Sequence, residues 1–190
     1  FPFDYIVAGE GEAVIGGILG RSALPGSPVI IRNDKFAEID KYPSPYLTGV
    51  LDPADYDGVL WELSRGCPYK CAYCYEGLRS GKVRRISTVR LNDELELFTR
   101  SGVTQVFVLD PTFNIDTAKA IETLKVIKKR APAIHFSFEV RGELLNEETV
   151  KHFASINCSL QIGLQSISPQ TLEYSGRTFD RNKFRKGISL

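Results

Sequence analysis

The sequence predicts an α/β fold: a partial (β/α) barrel made of its first four strand–helix units, preceded by the last strand–helix unit of a Rossmann-like α/β domain. Three observations carry this prediction. Strand-like and helix-like segments alternate regularly from Gly58 onward. Within the later strands, apolar and polar residues alternate with a period of two. A lone strand–helix pair near the start is separated from the rest by a proline-rich stretch.

Taken in order, Tyr5-Ile6-Val7-Ala8 reads as a short buried strand. It is followed by Gly9-Glu10-Gly11-Glu12 and a helical stretch carrying Val14, Ile15, Ile18 and Leu19. Glycines at the turn and carboxylates near the helix start suit the positive end of the helix dipole. One such unit cannot cover its own apolar faces, so residues 1–21 are expected to be the C-terminal remnant of a larger α/β domain. Over 22–57, Pro25, Pro28, Pro43, Pro45 and Pro53 predict a linker in extended form, with a short strand candidate at Val29-Ile30-Ile31.

Residues 58–190 hold the barrel units. The first strand is read over Val59–Ser64. A helix follows over 91–101, with Leu91, Leu95 and Phe98 on one face and Gly102 as its stop. The second strand is Val103–Leu109, and its helix runs over 115–130 with Ala120, Leu124 and Ile127 inward. Ile134–Val140 is the third strand, and the helix after it is capped by Asn146 and presents Val150 and Phe153. The fourth strand spans Cys158–Gln165, and Ser168-Pro169 opens the last helix. Repeated strand–helix units imply parallel strands with right-handed crossovers. Four units fill this length at close to the roughly 31 residues per unit of a (β/α) barrel. The chain therefore reads as about half a barrel with two open strand edges, which a second copy is expected to cover.

In the third strand Ile134, Phe136 and Phe138 share one face, and His135, Ser137 and Glu139 share the other. The fourth splits the same way, with Cys158, Leu160, Ile162 and Leu164 opposite Ser159, Gln161, Gly163 and Gln165. The apolar face should meet the helices, leaving a polar face toward a wet lumen with room for a ligand.

Composition narrows the function. A hydrophobic share of 43% with 25% charged residues is that of an ordinary globular protein. Lys+Arg number 24 against 23 Asp+Glu, so bulk charge points to neither nucleic acid nor membrane as a partner. No apolar run approaches the roughly 20 residues of a membrane helix. No basic leader precedes an apolar segment, and the lack of Met at position 1 is expected of a fragment whose start is not the native one. Three of the four cysteines, Cys67, Cys71 and Cys74, fall within eight positions. Disulfide frameworks spread cysteines apart, whereas tight clusters bind metal or do redox chemistry, so a reducing, cytoplasmic setting is expected.

The cluster reads Cys67-Pro-Tyr-Lys-Cys71-Ala-Tyr-Cys74, a C-x3-C-x2-C spacing directly after the first barrel strand. Three thiolates on so short a loop can converge on one soft-metal site. A structural zinc site would want a fourth ligand. Cys158 is the only other cysteine, and its parity points it at the helix layer. An open iron–sulfur cluster is therefore favoured, with a non-catalytic iron–sulfur or zinc-binding module as the alternative.

This motif, with aromatic Tyr73 before the last cysteine, resembles the radical S-adenosylmethionine (SAM) superfamily. The resemblance implies a barrel of the radical SAM type and an enzyme, an oxidoreductase or transferase. Cys67, Cys71 and Cys74 would hold a 4Fe-4S cluster whose open iron chelates SAM. Reductive cleavage would yield a 5′-deoxyadenosyl radical that abstracts hydrogen from a small-molecule substrate. The electron would come from a donor such as flavodoxin or ferredoxin.

Further matches extend the resemblance. Tyr73 would pack by the adenine. Asp110-Pro111-Thr112 sits where the family uses backbone groups to hold the SAM amino group, although the usual Gly-Gly-Glu run is absent. Glu139, Gln165 and Arg177 resemble SAM contacts of the oxygen-independent coproporphyrinogen dehydrogenase branch, with Arg177 on the carboxylate. Blander roles stay open: a Glu139–Arg141 ion pair, a backbone-satisfying Gln165, a solvated Arg177, a structural His135. The loop with Arg79, Lys82, Arg84 and Arg85 reads as solvated surface, with an anionic-substrate contact as the alternative. Asp4–Glu12 resembles the closing strand and turn of the cobalamin-binding domain that precedes many such barrels. The combination is similar to magnesium-protoporphyrin monomethyl ester oxidative cyclase-like proteins, which would make the substrate a tetrapyrrole. Asp-x-His-x-x-Gly is absent, so cobalamin is expected only in a full-length protein.

Overall fold

The structure is a computed structural model that describes residues 3–21, 26, 28–33, 35–76, 81–177 and 179–190. It divides into two compact units, Phe1–Tyr42 and Pro43–Leu190.

In the first unit, strand β1 (Tyr5–Gly9) pairs in parallel with β2 (Val29–Asn33), and the short helix α1 (Ile15–Leu19) lies between them in sequence. Gly9 has φ +115°, and a Cβ there would fall 2.1 Å from the Asn33 carbonyl oxygen, so only glycine lets the strand ends approach. The Asn33 side-chain amide donates to the Glu10 carbonyl at 2.7 Å and closes the turn. The stretch expected as an extended linker is thus partly built into structure. Its strand candidate becomes β2. Its later part joins the second unit, where the Tyr46 hydroxyl donates to the Leu60 carbonyl at 2.8 Å.

The second unit contains a four-stranded parallel sheet in the order β3 (Gly58–Trp61), β6 (Gln105–Val108), β7 (His135–Val140), β8 (Cys158–Ile162). This is the sequential order of the first part of a (β/α) barrel. Between strands lie α2 (Thr88–Arg100), α3 (Thr117–Arg130) and α4 (Glu147–Phe153), and after β8 come α5 (Pro169–Tyr174) and α6 (Arg181–Ile188). Each of these five helices begins at a side-chain cap: Ser87, Asp116, Asn146, Ser168 and Asp180 accept from backbone N–H groups of the first turn. The caps explain why α2 starts before residue 91 and α3 after 115.

One face of the sheet forms the core. Phe136, Phe138 and Val140 of β7 are buried toward the helices, while His135, Ser137 and Glu139 turn the other way. Aromatic rings knit the layer together: Trp61 meets Phe98 of α2 at 5.8 Å between ring centres, and Phe138 meets Phe153 of α4 at 5.5 Å. The Trp61 indole N–H donates to Glu94 at 2.8 Å, and Glu94 also pairs with Arg90, so the one buried carboxylate of α2 is partnered.

Two strand ends differ from expectation. Pairing in β3 stops at Trp61, because the Leu63 and Ser64 N–H groups donate to the Asp110 carboxylate at 3.0 and 2.7 Å. Ser64 then starts a small antiparallel ladder, β4 (Ser64–Arg65) with β5 (Arg84–Arg85). Arg84 and Arg85 are therefore half-buried ladder residues rather than free surface, and Arg79 lies outside the described residues. Pairing in β8 ends at Ile162, since Gln165 adopts a left-handed φ of +66° that no strand accommodates.

Candidate cluster and cofactor site

At the C-terminal end of this sheet lies a cavity of about 410 Å³. Its lining draws on all four strand ends: Cys67, Tyr69, Cys71, Tyr73 and Cys74 from the loop after β3 and β4, and Pro111 and Thr112 after β6. Glu139, Val140 and Arg141 come from the end of β7, Gln161 to Gly163 with Gln165 from β8, and Arg177 from beyond α5. In open parallel α/β sheets this end is where ligands bind.

The cysteine loop is held by its neighbours. The Ala72 N–H donates to the Ser175 carbonyl at 2.8 Å, which joins the loop to the end of α5. Gly176 has φ +63°, and a Cβ there would meet the Lys70 carbonyl oxygen at 2.8 Å, so the approach requires glycine. Within the loop the Cys74 N–H donates to the Cys71 carbonyl at 3.0 Å. All four cysteines are free thiols, and Cys71 is buried. Cys158 lies elsewhere: its thiol donates to the Phe153 carbonyl at 3.4 Å, and burial pushes its pKa up.

Arg177, the next residue after Gly176, is only 7% exposed. Its Nη2 donates to the Gly163 carbonyl at 2.6 Å, while its Nε has no hydrogen-bond partner. A buried guanidinium with an unused N–H on a cavity wall suits an anion. It is no solvated helix residue. The Gln165 side chain converges on the same point: a Cβ on Gly163 would lie 2.7 Å from Gln165 Nε2 and 3.6 Å from Arg177 Nη2. Holding a non-glycine residue in left-handed backbone costs energy and commonly marks a functional position.

Glu139 is exposed on the cavity wall, and the ion pair considered for it goes elsewhere: Arg141 pairs with Glu143. Thr112 is nearly buried, with its hydroxyl donating to the Pro111 carbonyl at 2.7 Å and standing 4.0 Å from Cys67 Sγ. Tyr73 is half exposed. Its pKa is raised by burial, opposed by Arg177.

Asp110 departs from expectation. It is fully buried and is not among the lining residues. Its carboxylate accepts from the Leu63 and Ser64 N–H groups and, at 2.5 Å, from the Ser64 hydroxyl, with Arg85 at 3.9 Å. Burial pushes its pKa up to about 6. Its side chain anchors the entry to the cysteine loop. His135 is likewise structural, with Asn157 and Ser159 each 2.9 Å from its ring nitrogens.

Tyr69 and Arg141 line the cavity although neither was expected there, and so do Val140 and Ile162, the latter expected on the helix face. Arg141 is 4% exposed, and its guanidinium sits 3.6 Å over the centre of the Tyr69 ring. Tyr69 was visible as an aromatic inside the cysteine motif, whereas nothing local marks the stack.

The donor set fits an iron–sulfur cluster. Among the described residues no three Cys, His, Asp or Glu side chains gather tightly enough to hold a single ion. On a cubane each thiolate would bind a different iron, which asks only that three cysteines border one space, and Cys67, Cys71 and Cys74 all line this cavity.

Comparison with known proteins agrees with this geometry. Residues 61–190 match the family described as the Radical SAM superfamily. An uncharacterized methyltransferase of Pyrococcus horikoshii is 30% identical over 92% of this chain and 43% of its own length. The cobalamin-dependent radical SAM methyltransferase TokK of Streptomyces tokunonensis is 29% identical over 74% of this chain and 23% of its own. Among solved structures, the radical SAM methyltransferase TsrM from Kitasatospora setae superposes with a TM-score of 0.62 at 19% identity. That match covers 70% of this chain and 27% of TsrM. The chain thus spans less than half the length of these relatives. No described helix is long and apolar enough to cross a membrane.

Proposed function

This chain belongs to the radical SAM superfamily, and on that premise we propose that it carries the cluster- and SAM-binding part of a cobalamin-associated radical SAM methyltransferase. The observation that carries the reading is the cavity itself, lined by the three motif cysteines and by a buried Arg177 with an unused N–H. Cys67, Cys71 and Cys74 would hold a 4Fe-4S cluster. Bound there, it would supply the low-potential electron that cleaves SAM.

The chain's own residues would do the positioning. Arg177 receives the SAM carboxylate by a charge-assisted hydrogen bond, and the Gln165 amide beside it fixes that end of the ligand. The Glu139 carboxylate takes the amino group together with backbone at Pro111 and Thr112. The Tyr73 ring walls the adenine side and limits water.

Methyl transfer to a small molecule replaces the tetrapyrrole oxidation that the cyclase resemblance implies, because the matched relatives are named as methyltransferases. The unit Phe1–Tyr42 is read as the end of a preceding cobalamin-binding-like domain, and an external one-electron donor is required.

The test is iron and sulfide content after anaerobic loading. Cys67→Ala, Cys71→Ala and Cys74→Ala are expected to abolish cluster uptake, and Cys158→Ala to leave it at the wild-type level. Metal loss in Cys158→Ala would instead indicate a closed four-cysteine module and overturn the proposal.

A further inference from the structure

Arg141 is placed where stability alone gives little reason for a charge. It is only 4% exposed, and its Nε donates to Glu143 while its Nη2 and the Glu143 Oε2 atom have no hydrogen-bond partner. An apolar side chain could cover Tyr69 without the desolvation that a half-satisfied buried ion pair incurs. The backbone around it is locked. Asn114, in the turn after β6, donates to the Arg141 carbonyl at 2.9 Å and accepts from its N–H at 3.0 Å. The guanidinium is thereby held over the Tyr69 ring; Tyr69 lies midway in sequence between Cys67 and Cys71 and lines the same cavity.

From this arrangement we infer that Arg141 is a positioning residue for the cluster: it clamps the cysteine loop through Tyr69 and fixes a positive charge on the cavity that the three cysteines line, which eases reduction of the cluster. The inference rests on the reading that Cys67, Cys71 and Cys74 bind an iron–sulfur cluster. Adding an electron to an anionic cluster is favoured by a nearby cation, because reduction adds negative charge to a poorly solvated site. Arg suits the clamp better than Lys, since only a planar guanidinium stacks face to face on a ring.

The experiment has two arms. In the first, cluster-loaded wild type, Arg141→Gln, Arg141→Lys and Glu143→Gln are titrated for the cluster midpoint potential. Arg141→Gln is expected to disfavour reduction about tenfold, 59 mV for one electron. Arg141→Lys recovers most of that shift, and Glu143→Gln, which removes the neighbouring negative charge, moves the potential upward. A role confined to packing would leave the potential of every loaded variant unchanged, and equal potentials overturn the inference. So does loss of the cluster in all three variants.

The second arm uses the metal-free chain and a double-mutant cycle of Tyr69→Leu and Arg141→Gln. The stack predicts a coupling of severalfold to about tenfold in the unfolding equilibrium. Coupling indistinguishable from zero overturns the clamp. A wild-type chain that takes up no cluster defeats the reading of the site, and this second arm still decides whether the clamp exists.

Discussion

Replacing Gly176 by Ala tests how the cysteine loop and the Arg177 segment are joined, and Gly102 supplies the matched control. Both glycines have left-handed backbone, at φ +63° and +75°. Ala in that region costs about 1–2 kcal/mol relative to its preferred conformations. At Gly102 a Cβ would meet nothing within 4 Å, so Gly102→Ala should cost only this conformational amount. At Gly176 the Cβ would lie 2.8 Å from the Lys70 carbonyl oxygen, 3.6 Å from its carbon and 3.8 Å from Cys71 Cα. These are backbone atoms, so the loop must move, and the overpacking adds about 1–3 kcal/mol. The expected total is about 2–5 kcal/mol for Gly176→Ala against about 1–2 for Gly102→Ala. Urea unfolding of the two variants and wild type measures it as a fall in midpoint at unchanged slope. Equal losses would refute the argument that residues 175–177 and 70–72 are locked by close contact.

Two further outcomes follow from single residues. Burial pushes Asp110 up to about 6, above the ordinary carboxylate range, so its proton favours the folded state. That contribution is complete below about pH 4 and is lost as pH rises through about 6, at most about 3 kcal/mol. Urea stability of wild type relative to Asp110→Asn should therefore fall from pH 4 to 6.5, and a difference that stays flat or rises would contradict the assignment. Arg177→Lys should weaken SAM binding to the loaded protein by about tenfold, because a lysine cannot hold Gly163 and the carboxylate with one planar fork. Calorimetric titration reads this directly, and an unchanged affinity would remove Arg177 from the site.

Much of the fold was legible because it is written in local periodicity. The alternation of Phe136 and Phe138 with His135, Ser137 and Glu139 predicted both the β7 face packed on the helices and the polar face whose last residue, Glu139, lines the cavity. The spacing of Cys67, Cys71 and Cys74 likewise predicted a shared site. What escaped depends on partners distant in sequence. The end of β3 is decided by Asp110, some 46 positions away, which takes the N–H groups a strand would have offered to a neighbour. That same use of its carboxylate makes the Asp110 side chain a structural anchor. Arg141 and Tyr69 are 72 positions apart and meet only once β7 pairs into the sheet. Strand-end residues such as Glu139 were placed on the cavity side by parity alone, whereas the partner of Arg141, Glu143 rather than Glu139, required the turn at Gly142–Leu144.

The central claim is that one cavity holds both a three-thiolate cluster and SAM. Electron paramagnetic resonance of the reduced, fully loaded protein, recorded with and without SAM, tests it most directly. A changed cluster signal is expected when SAM is added, and this change is lost in Arg177→Ala at the same iron content. An identical spectrum at saturating SAM and full cluster occupancy would contradict it.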